Sequence, residues 1–351
     1  MIEKTAWDVR KYPEKFAVYR ILCNFAVVFQ NCINSMEAKY IHRELSALKE
    51  EAYRYFSVIT VTGPRQSGKT TLLRNLFSYL PYYSLENLDV RSFAENDPVA
   101  FLNQHTEGMI LDEVHNAPNL LSYIQGMVDN DADRRFILSG SSQFATLKKV
   151  TQTLAGRTAV FELLPLSYSE IREQITDTPL DNLLFNGFYP AIYSGRNIPK
   201  FLYPAYMKTY LDKDVRDLLQ IKDMMQFHTF IRLCAGRIGS LFKASELANE
   251  IGVSSHTVTA WLSVLQASFI VFLLPPYFAH TRKRLTKTPK LYFTDTGLAC
   301  HLLGIESPEQ LARDKMRGAL FENFIVTEAL KRRYNQGKES NLYFYRDSKQ
   351  Y

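Results

Sequence analysis

Residues Gly63-Pro64-Arg65-Gln66-Ser67-Gly68-Lys69-Thr70 match the pattern G-x-x-x-x-G-K-[ST] at every position. The pattern constrains the fold because it works in one setting only. A strand must end, a glycine-rich turn must curl back, and a helix must begin with its backbone N–H groups aimed at an anion. Both flanks qualify: Ser57-Val58-Ile59-Thr60-Val61-Thr62 is a β-branched run suited to a buried strand, and Thr71-Leu72-Leu73-Arg74-Asn75-Leu76-Phe77 has helical spacing. The segment from Gly63 to Thr71 is therefore expected to cradle the phosphates of ATP. Lys69 adds a point charge at the β- and γ-phosphates, and the Thr70 hydroxyl is the expected ligand of Mg²⁺.

A phosphate loop needs acidic company. Gly108-Met109-Ile110-Leu111 is an apolar run ending in Asp112 and Glu113, with Asp112 43 positions beyond Lys69. A carboxylate pair at the carboxyl end of an apolar strand is where open α/β sheets put ligand groups. Asp112 is assigned to the Mg²⁺ shell and Glu113 to the water that attacks the γ-phosphate. Asp97-Pro98 reads as an acidic N-cap before a proline at the first helical position. Further on, Phe136-Ile137-Leu138 leads into Ser139-Gly140-Ser141, so either Ser139 or Ser141 is a candidate sensor of the γ-phosphate, a plain turn being the alternative. Arg157, just before the run Thr158–Leu164, is a candidate arginine finger reaching a neighbouring subunit, with an ordinary surface arginine as the alternative.

The chain's 351 residues exceed one average domain, and 46% hydrophobic with 22% charged residues reads as globular. A net charge of +6 suits an anionic partner, but lysine and arginine are scattered, so charge alone does not establish nucleic-acid binding. Cys23, Cys32, Cys234 and Cys300 show no C-x-x-C pair and no zinc spacing, which points to free thiols in a cytoplasmic protein and no structural zinc. Residues 16–33 are apolar but interrupted by Arg20, Asn24 and Gln30, so no membrane span is expected. From Met36 an amphipathic helix is expected over Glu37–Phe56, and residues 1–35 read as a leader of a mis-extended start.

Lys243 to Leu262 reads as a helix, a short turn at Gly252 and a second helix. Leu247, Ala248, Ile251, Val253, Val258, Trp261, Leu262 and Leu265 form the expected core between them. Ser255, His256 and Thr259 face outward at the start of the second helix, where a DNA reader meets base edges and phosphates. That helix lacks arginine and lysine, so the electrostatic contribution would come from Lys243 and the cluster Arg282-Lys283-Arg284. DNA binding and a purely structural role both stay open. Phe269–Leu274 followed by Pro275-Pro276 reads as the strand hairpin of such a module.

Gly-Pro-Arg-Gln-Ser-Gly-Lys-Thr-Thr, Ile-Leu-Asp-Glu-Val-His, Leu-Ser-Gly-Ser-Ser, Leu-Ala-Gly-Arg, Asn186-Gly187-Phe188-Tyr189-Pro190 and Leu291-Tyr292-Phe293-Thr294-Asp295-Thr296-Gly297-Leu298 together resemble a family of prokaryotic AAA-type ATPases carrying a C-terminal domain of unknown function. The similarity runs from about Met36 to the end. It implies an ATP-binding, ATP-hydrolysing protein. Members continue past an Arg-Asp-Ser segment into an acidic strand resembling a restriction-nuclease fold, whereas this sequence stops at Tyr351. Glu322, Asp347 and Lys349 therefore imitate a nuclease set whose carboxylate strand is absent, and no nuclease activity is expected.

The expected architecture is α/β. It comprises a leader at 1–35, a P-loop AAA-type parallel sheet with flanking helices at 36–175 and a helical connection at 176–240. A winged helix-turn-helix at 241–285 and an incomplete α+β, restriction-nuclease-like module at 286–351 follow. The expected function is Mg²⁺-dependent ATP hydrolysis driving a conformational change. An ATP-gated DNA-binding regulator and a non-hydrolysing nucleotide-binding scaffold are the alternatives, and assembly as a homo-oligomer is open.

Overall fold

Parallel strands need crossover connections, and the first half of the chain supplies a helix for each. The computed structural model describes residues 40–140, 148–211, 224–277 and 288–345. In chain order, α1 (Lys49–Tyr55), β1 (Val58–Thr62), α2 (Lys69–Leu76), β2 (Tyr82–Ser84), α3 (Leu88–Asn96) and α4 (Pro98–Leu102) come first. Then follow β3 (Gly108–Asp112), α5 (Leu120–Asn130), β4 (Arg135–Gly140), α6 (Lys148–Thr153) and β5 (Thr158–Glu162). The strands pair in parallel in the order β2-β3-β4-β1-β5.

Strand alternation divides the apolar residues between two layers. Val58, Met109, Leu111, Phe136 and Leu138 join Phe101, Leu121 and Ile124 on one face. Ile59, Val61, Ile110 and Ile137 join Leu72, Leu73 and Phe77 of the helix after the loop on the other. Asp97 accepts from the Ala100 N–H at 3.0 Å with Pro98 at the first position of α4, as the local sequence predicts.

The helix expected over Glu37–Phe56 is shorter. Arg43 is extended at φ −104°, a 3-10 turn covers Glu44–Leu48, and α1 begins only at Lys49. The cause is tertiary: Arg43 is drawn out to bond the phosphate loop, and a helical backbone there would give up those contacts. Residues 1–35 lie outside the described residues.

The second half is helical. It contains α7 (Tyr168–Ile171), α8 (Leu180–Asn186), α9 (Pro190–Tyr193), α10 (Pro199–Tyr206), α11 (Met224–Ala235), α12 (Ala244–Ile251) and α13 (Ser255–Ala267). After β6 (Val271–Leu274) and β7 (Lys290–Phe293) come α14 (Thr296–Leu302), α15 (Pro308–Arg313) and α16 (Arg317–Tyr334). Gly252 ends α12 in the left-handed region at φ 79°, and Ser254 caps α13 by accepting from the Thr257 N–H at 3.0 Å. Leu247, Ala248, Val258, Trp261, Leu262 and Leu265 are buried between the two helices as expected, with Ile251 and Val253 packed at the margin. β6 and β7 are antiparallel, so the expected boundary at 285/286 falls between two strands that pair. Among the described residues after 316, the C-terminal segment consists of α16 and a bridge from Phe344 to Pro276. Asp347 and Lys349 lie outside the described residues, and Glu322 accepts from the Tyr292 hydroxyl at 2.6 Å and Lys290 at 3.1 Å. Among the described residues no helix is long and apolar enough to cross a membrane.

One buried carboxyl knits this half together. Asp295, 2% exposed, caps α14 through the Leu298 N–H at 2.9 Å and accepts from the Phe188 N–H at 2.7 Å. The Tyr203 hydroxyl lies 2.6 Å from the Asn186 carbonyl and 2.9 Å from Asp295 Oδ1. The hydroxyl thus shares its one proton between the two acceptors. Burial pushes the Asp295 carboxyl above the ordinary range, against the pull of its hydrogen bonds and of Lys331.

Candidate active site at the phosphate loop

The loop leaves the buried β1 at Gly63, whose φ of 151° and proximity to the Leu163 carbonyl exclude a Cβ. Gln66 at φ 62° and Gly68 at φ 93° complete the curl, and α2 starts at Lys69. The Lys69 ammonium, 5% exposed, donates to the Gly63 carbonyl at 2.9 Å and the Pro64 carbonyl at 2.8 Å across the loop. Beneath the loop, Arg43 donates to the Ser67 carbonyl and the Leu164 carbonyl, each at 2.7 Å, and to Glu170 Oε1 at 3.0 Å.

Because β4 lies between β1 and β3, the acidic strand ends about 10 Å from the loop's strand. Thr70 closes that distance from the helix side, donating to Asp112 Oδ2 at 2.7 Å. The Tyr82 hydroxyl donates to the same oxygen at 2.7 Å, while Asp112 Oδ1 receives the Ser139 hydroxyl and, at 3.2 Å, the Glu113 N–H. Burial, then the hydrogen bond and charge of Asp112, make the Tyr82 phenol a much weaker acid than usual. Glu113 sits in the left-handed region at φ 53°, an uncommon conformation for a non-glycine residue and one that recurs at functional positions. His115 Nδ1 stands 3.1 Å from Glu113 Oε2, within ion-pair reach but off the line an aligned ring N–H would need.

Glu113, Lys69, Thr70 and Thr71 share an open cleft of about 450 Å³ with Arg65, Gln66 and Gly68. The opposite wall comes from the second half of the chain: Pro190, Ala191, Ser194, Arg196 and Asn197. An adjoining recess of about 100 Å³ is lined by Tyr40, Ile41, Leu72, Leu166 and Pro190. The donor set at the acidic strand, a hydroxyl and a carboxylate, is hard oxygen and fits Mg²⁺.

The structure thus brings Gly63–Thr71, Asp112, Glu113 and Ser139 together, with Ser139 buried against Asp112. Ser141 lies outside the described residues, as do Arg282, Lys283 and Arg284. Arg157 does not join this chain's own site. It precedes Thr158, which pairs with Val58 at the start of β1, roughly 13 Å along the strand from the loop, and it binds Asp129 at 2.5 and 2.9 Å. Ser255, His256 and Thr259 are exposed at the start of α13, and the Thr259 hydroxyl donates to the Ser255 carbonyl at 2.9 Å. Sequence reasoning did not single out Tyr82, His115, Arg43 or the Pro190–Asn197 wall. His115 alone carried a local signal, as the last letter of Asp-Glu-Val-His.

Sheet order and cleft define a P-loop ATPase-type domain joined to a helical second half. A family model described as an AAA domain matches residues 55–172, and two described as domains of unknown function, DUF8612 and DUF4143, match 177–309 and 317–351. The chain thus joins an AAA-type ATPase domain to C-terminal segments that match domains of unknown function. An uncharacterized protein of Mycobacterium tuberculosis is 31% identical over 295 residues, which cover 82% of this chain and 65% of that protein. The chain therefore spans under two thirds of the length of that relative. An uncharacterized protein of Methanocaldococcus jannaschii is 23% identical, with 91% of this chain and 75% of that one covered. Among solved structures, the Walker-type ATPase of Pyrococcus abyssi matches with a TM-score of 0.51 at 13% identity, over 74% of this chain and 94% of that one, a likeness of fold.

Proposed function

We propose that the protein hydrolyses ATP in an Mg²⁺-dependent reaction at this cleft and uses the cycle to move its second half. The observation that carries the reading is the 2.7 Å bond from Thr70 to Asp112, with Glu113 and Lys69 lining the same cleft. Loop amides and Lys69 hold the β- and γ-phosphates, and the recess beside Tyr40 and Ile41 receives the base. Mg²⁺, held by Thr70 and Asp112, supplies neutralisation of the developing phosphate charge. Glu113 orients a water whose oxygen bonds to the γ-phosphorus as the bond to the β,γ-bridging oxygen breaks. The water's proton passes toward Glu113, and ADP leaves with inorganic phosphate.

Ser139 holds the Asp112 carboxylate, and Arg196 faces the phosphates from the opposite wall. Arg157, far from its own chain's loop, is assigned to a neighbour's γ-phosphate in a homo-oligomer. Because Pro190–Asn197 belongs to the second half, closing the cleft on nucleotide moves that half directly. Phosphate release by the full chain, with Lys69→Ala and Glu113→Gln beside it, tests the reading. Turnover only in the unaltered protein, with ATP binding kept by Glu113→Gln, is the expected result. Equal rates in all three sink it.

A second reading makes DNA the partner. It rests on the layout of α12, α13 and the β6–β7 pair, read as a winged helix-turn-helix with Ser255, His256 and Thr259 on its open face. A mobility shift on duplex DNA at low salt, absent with His256→Glu, is its test.

A further inference from the structure

Tyr82 opens β2, the edge strand next to the one that ends in Asp112. Its hydroxyl and that of Thr70 meet at one atom, Asp112 Oδ2, each at 2.7 Å. The other carboxylate oxygen already receives Ser139 and the Glu113 N–H. A threonine hydroxyl that turns its lone pair to a cation still needs an acceptor for its proton, and Asp112 must then serve the cation's hydration shell as well. A donor that never leaves Oδ2 keeps that carboxylate from rotating.

We propose that Tyr82 is a positioning residue that fixes the Asp112 carboxylate for Mg²⁺ while Thr70 exchanges between carboxylate and cation. The inference rests on the Mg²⁺–ATP reading of the cleft. The Arg74 guanidinium lies 4.9 Å from the ring centroid, so the ring has its own support and Tyr82→Phe removes the hydroxyl alone.

Calorimetric titration of the full chain with a non-hydrolysable ATP analogue, once with Mg²⁺ and once with EDTA, separates the possibilities. Tyr82→Phe is expected to lose on the order of 10- to 100-fold in affinity with Mg²⁺, as outer-shell partners of metal ligands do, and to stay within about twofold of wild type in EDTA. Equal loss in both arms would mean a purely structural role and overturn the inference, and so would no loss in either. A wild-type protein that gains nothing from Mg²⁺ overturns the reading of the cleft and this inference with it.

Discussion

Arg43 and Glu170 stand 127 positions apart in the chain and 3.0 Å apart in the fold, and both side chains are almost wholly buried. Glu170 also accepts from the Glu44 and Ser167 N–H groups, each at 2.8 Å, while Arg43 holds the Ser67 carbonyl of the phosphate loop. The pair ties the segment before the sheet, the loop and the segment after β5 into one clamp. Such a pair is weak evidence for stability in itself, but removing one partner strands a buried charge.

Arg43→Met should therefore destabilise the protein by about 3–5 kcal/mol in urea unfolding. It should also weaken ATP binding, because the Ser67 carbonyl loses its brace. Arg43→Lys, with one donor group in place of a fork, should recover little. Unaltered stability in Arg43→Met would show that the clamp carries no weight.

His115 faces Glu113 electrostatically, and Glu113 holds an uncommon backbone conformation. Removing the imidazole takes one neighbour from Glu113, the carboxylate proposed to orient the water, and does not touch the phosphates. His115→Ala should lower kcat by about tenfold or more with KM within about twofold, the pattern of an interaction lost only in the transition state. A rise in KM at constant kcat would place His115 in binding instead.

The parts of the site legible in the sequence were those in which chemistry and spacing are local. The loop's glycines, Lys69 and Thr70 lie within eight residues, and Asp112-Glu113 ends an apolar run. The runs of β1, β3 and β4 were legible because burial on both faces leaves nearly continuous apolar letters. What stayed hidden depends on partners far away in the chain. Arg43 looked like one polar letter in an amphipathic helix until its bonds to Ser67, Leu164 and Glu170 pulled the backbone straight. Tyr82 drew no attention, since nothing local reveals that its hydroxyl reaches Asp112, 30 positions on. Periodicity locates elements but does not say which of them face each other, and so the Pro190–Asn197 wall was also missed.

Gly187 joins that wall to the buried Asp295 cluster. At φ 66°, a Cβ there would overlap the Tyr203 hydroxyl and the Asp295 carboxylate, whereas Gly304, at φ 74°, has nothing within 4 Å. Gly187→Ala should cost about 3 kcal/mol or more, combining backbone strain with overpacking, and Gly304→Ala only about 1 kcal/mol. Because Pro190 follows three residues later, Gly187→Ala should also weaken ATP binding, and Gly304→Ala should leave it alone. Equal unfolding midpoints for the two variants in urea would refute the role of the cluster.

Asp295 makes a prediction with a sign. Its carboxyl titrates higher in the fold than the ordinary value of 3.8, so between that value and its folded pKa the native state binds a proton that the unfolded chain has lost. Its contribution is then fully present below the unfolded value and declines as pH rises through the folded one. The groups around it are Lys331, Tyr203 and the Phe188 and Leu298 N–H donors, and none of them reverses the direction that burial sets. In Asp295→Asn, an amide nitrogen in place of Oδ2 would face the Phe188 N–H, leaving two donors opposed and costing about 1–3 kcal/mol. The wild type gives up its own advantage as Asp295 ionises, so the stability gap between the two proteins should be widest at the acid end of the range and narrow as pH rises through the folded value. Urea unfolding of both proteins across that range measures the gap. A gap that stays constant, or widens as pH rises, would show that burial does not raise the Asp295 carboxyl.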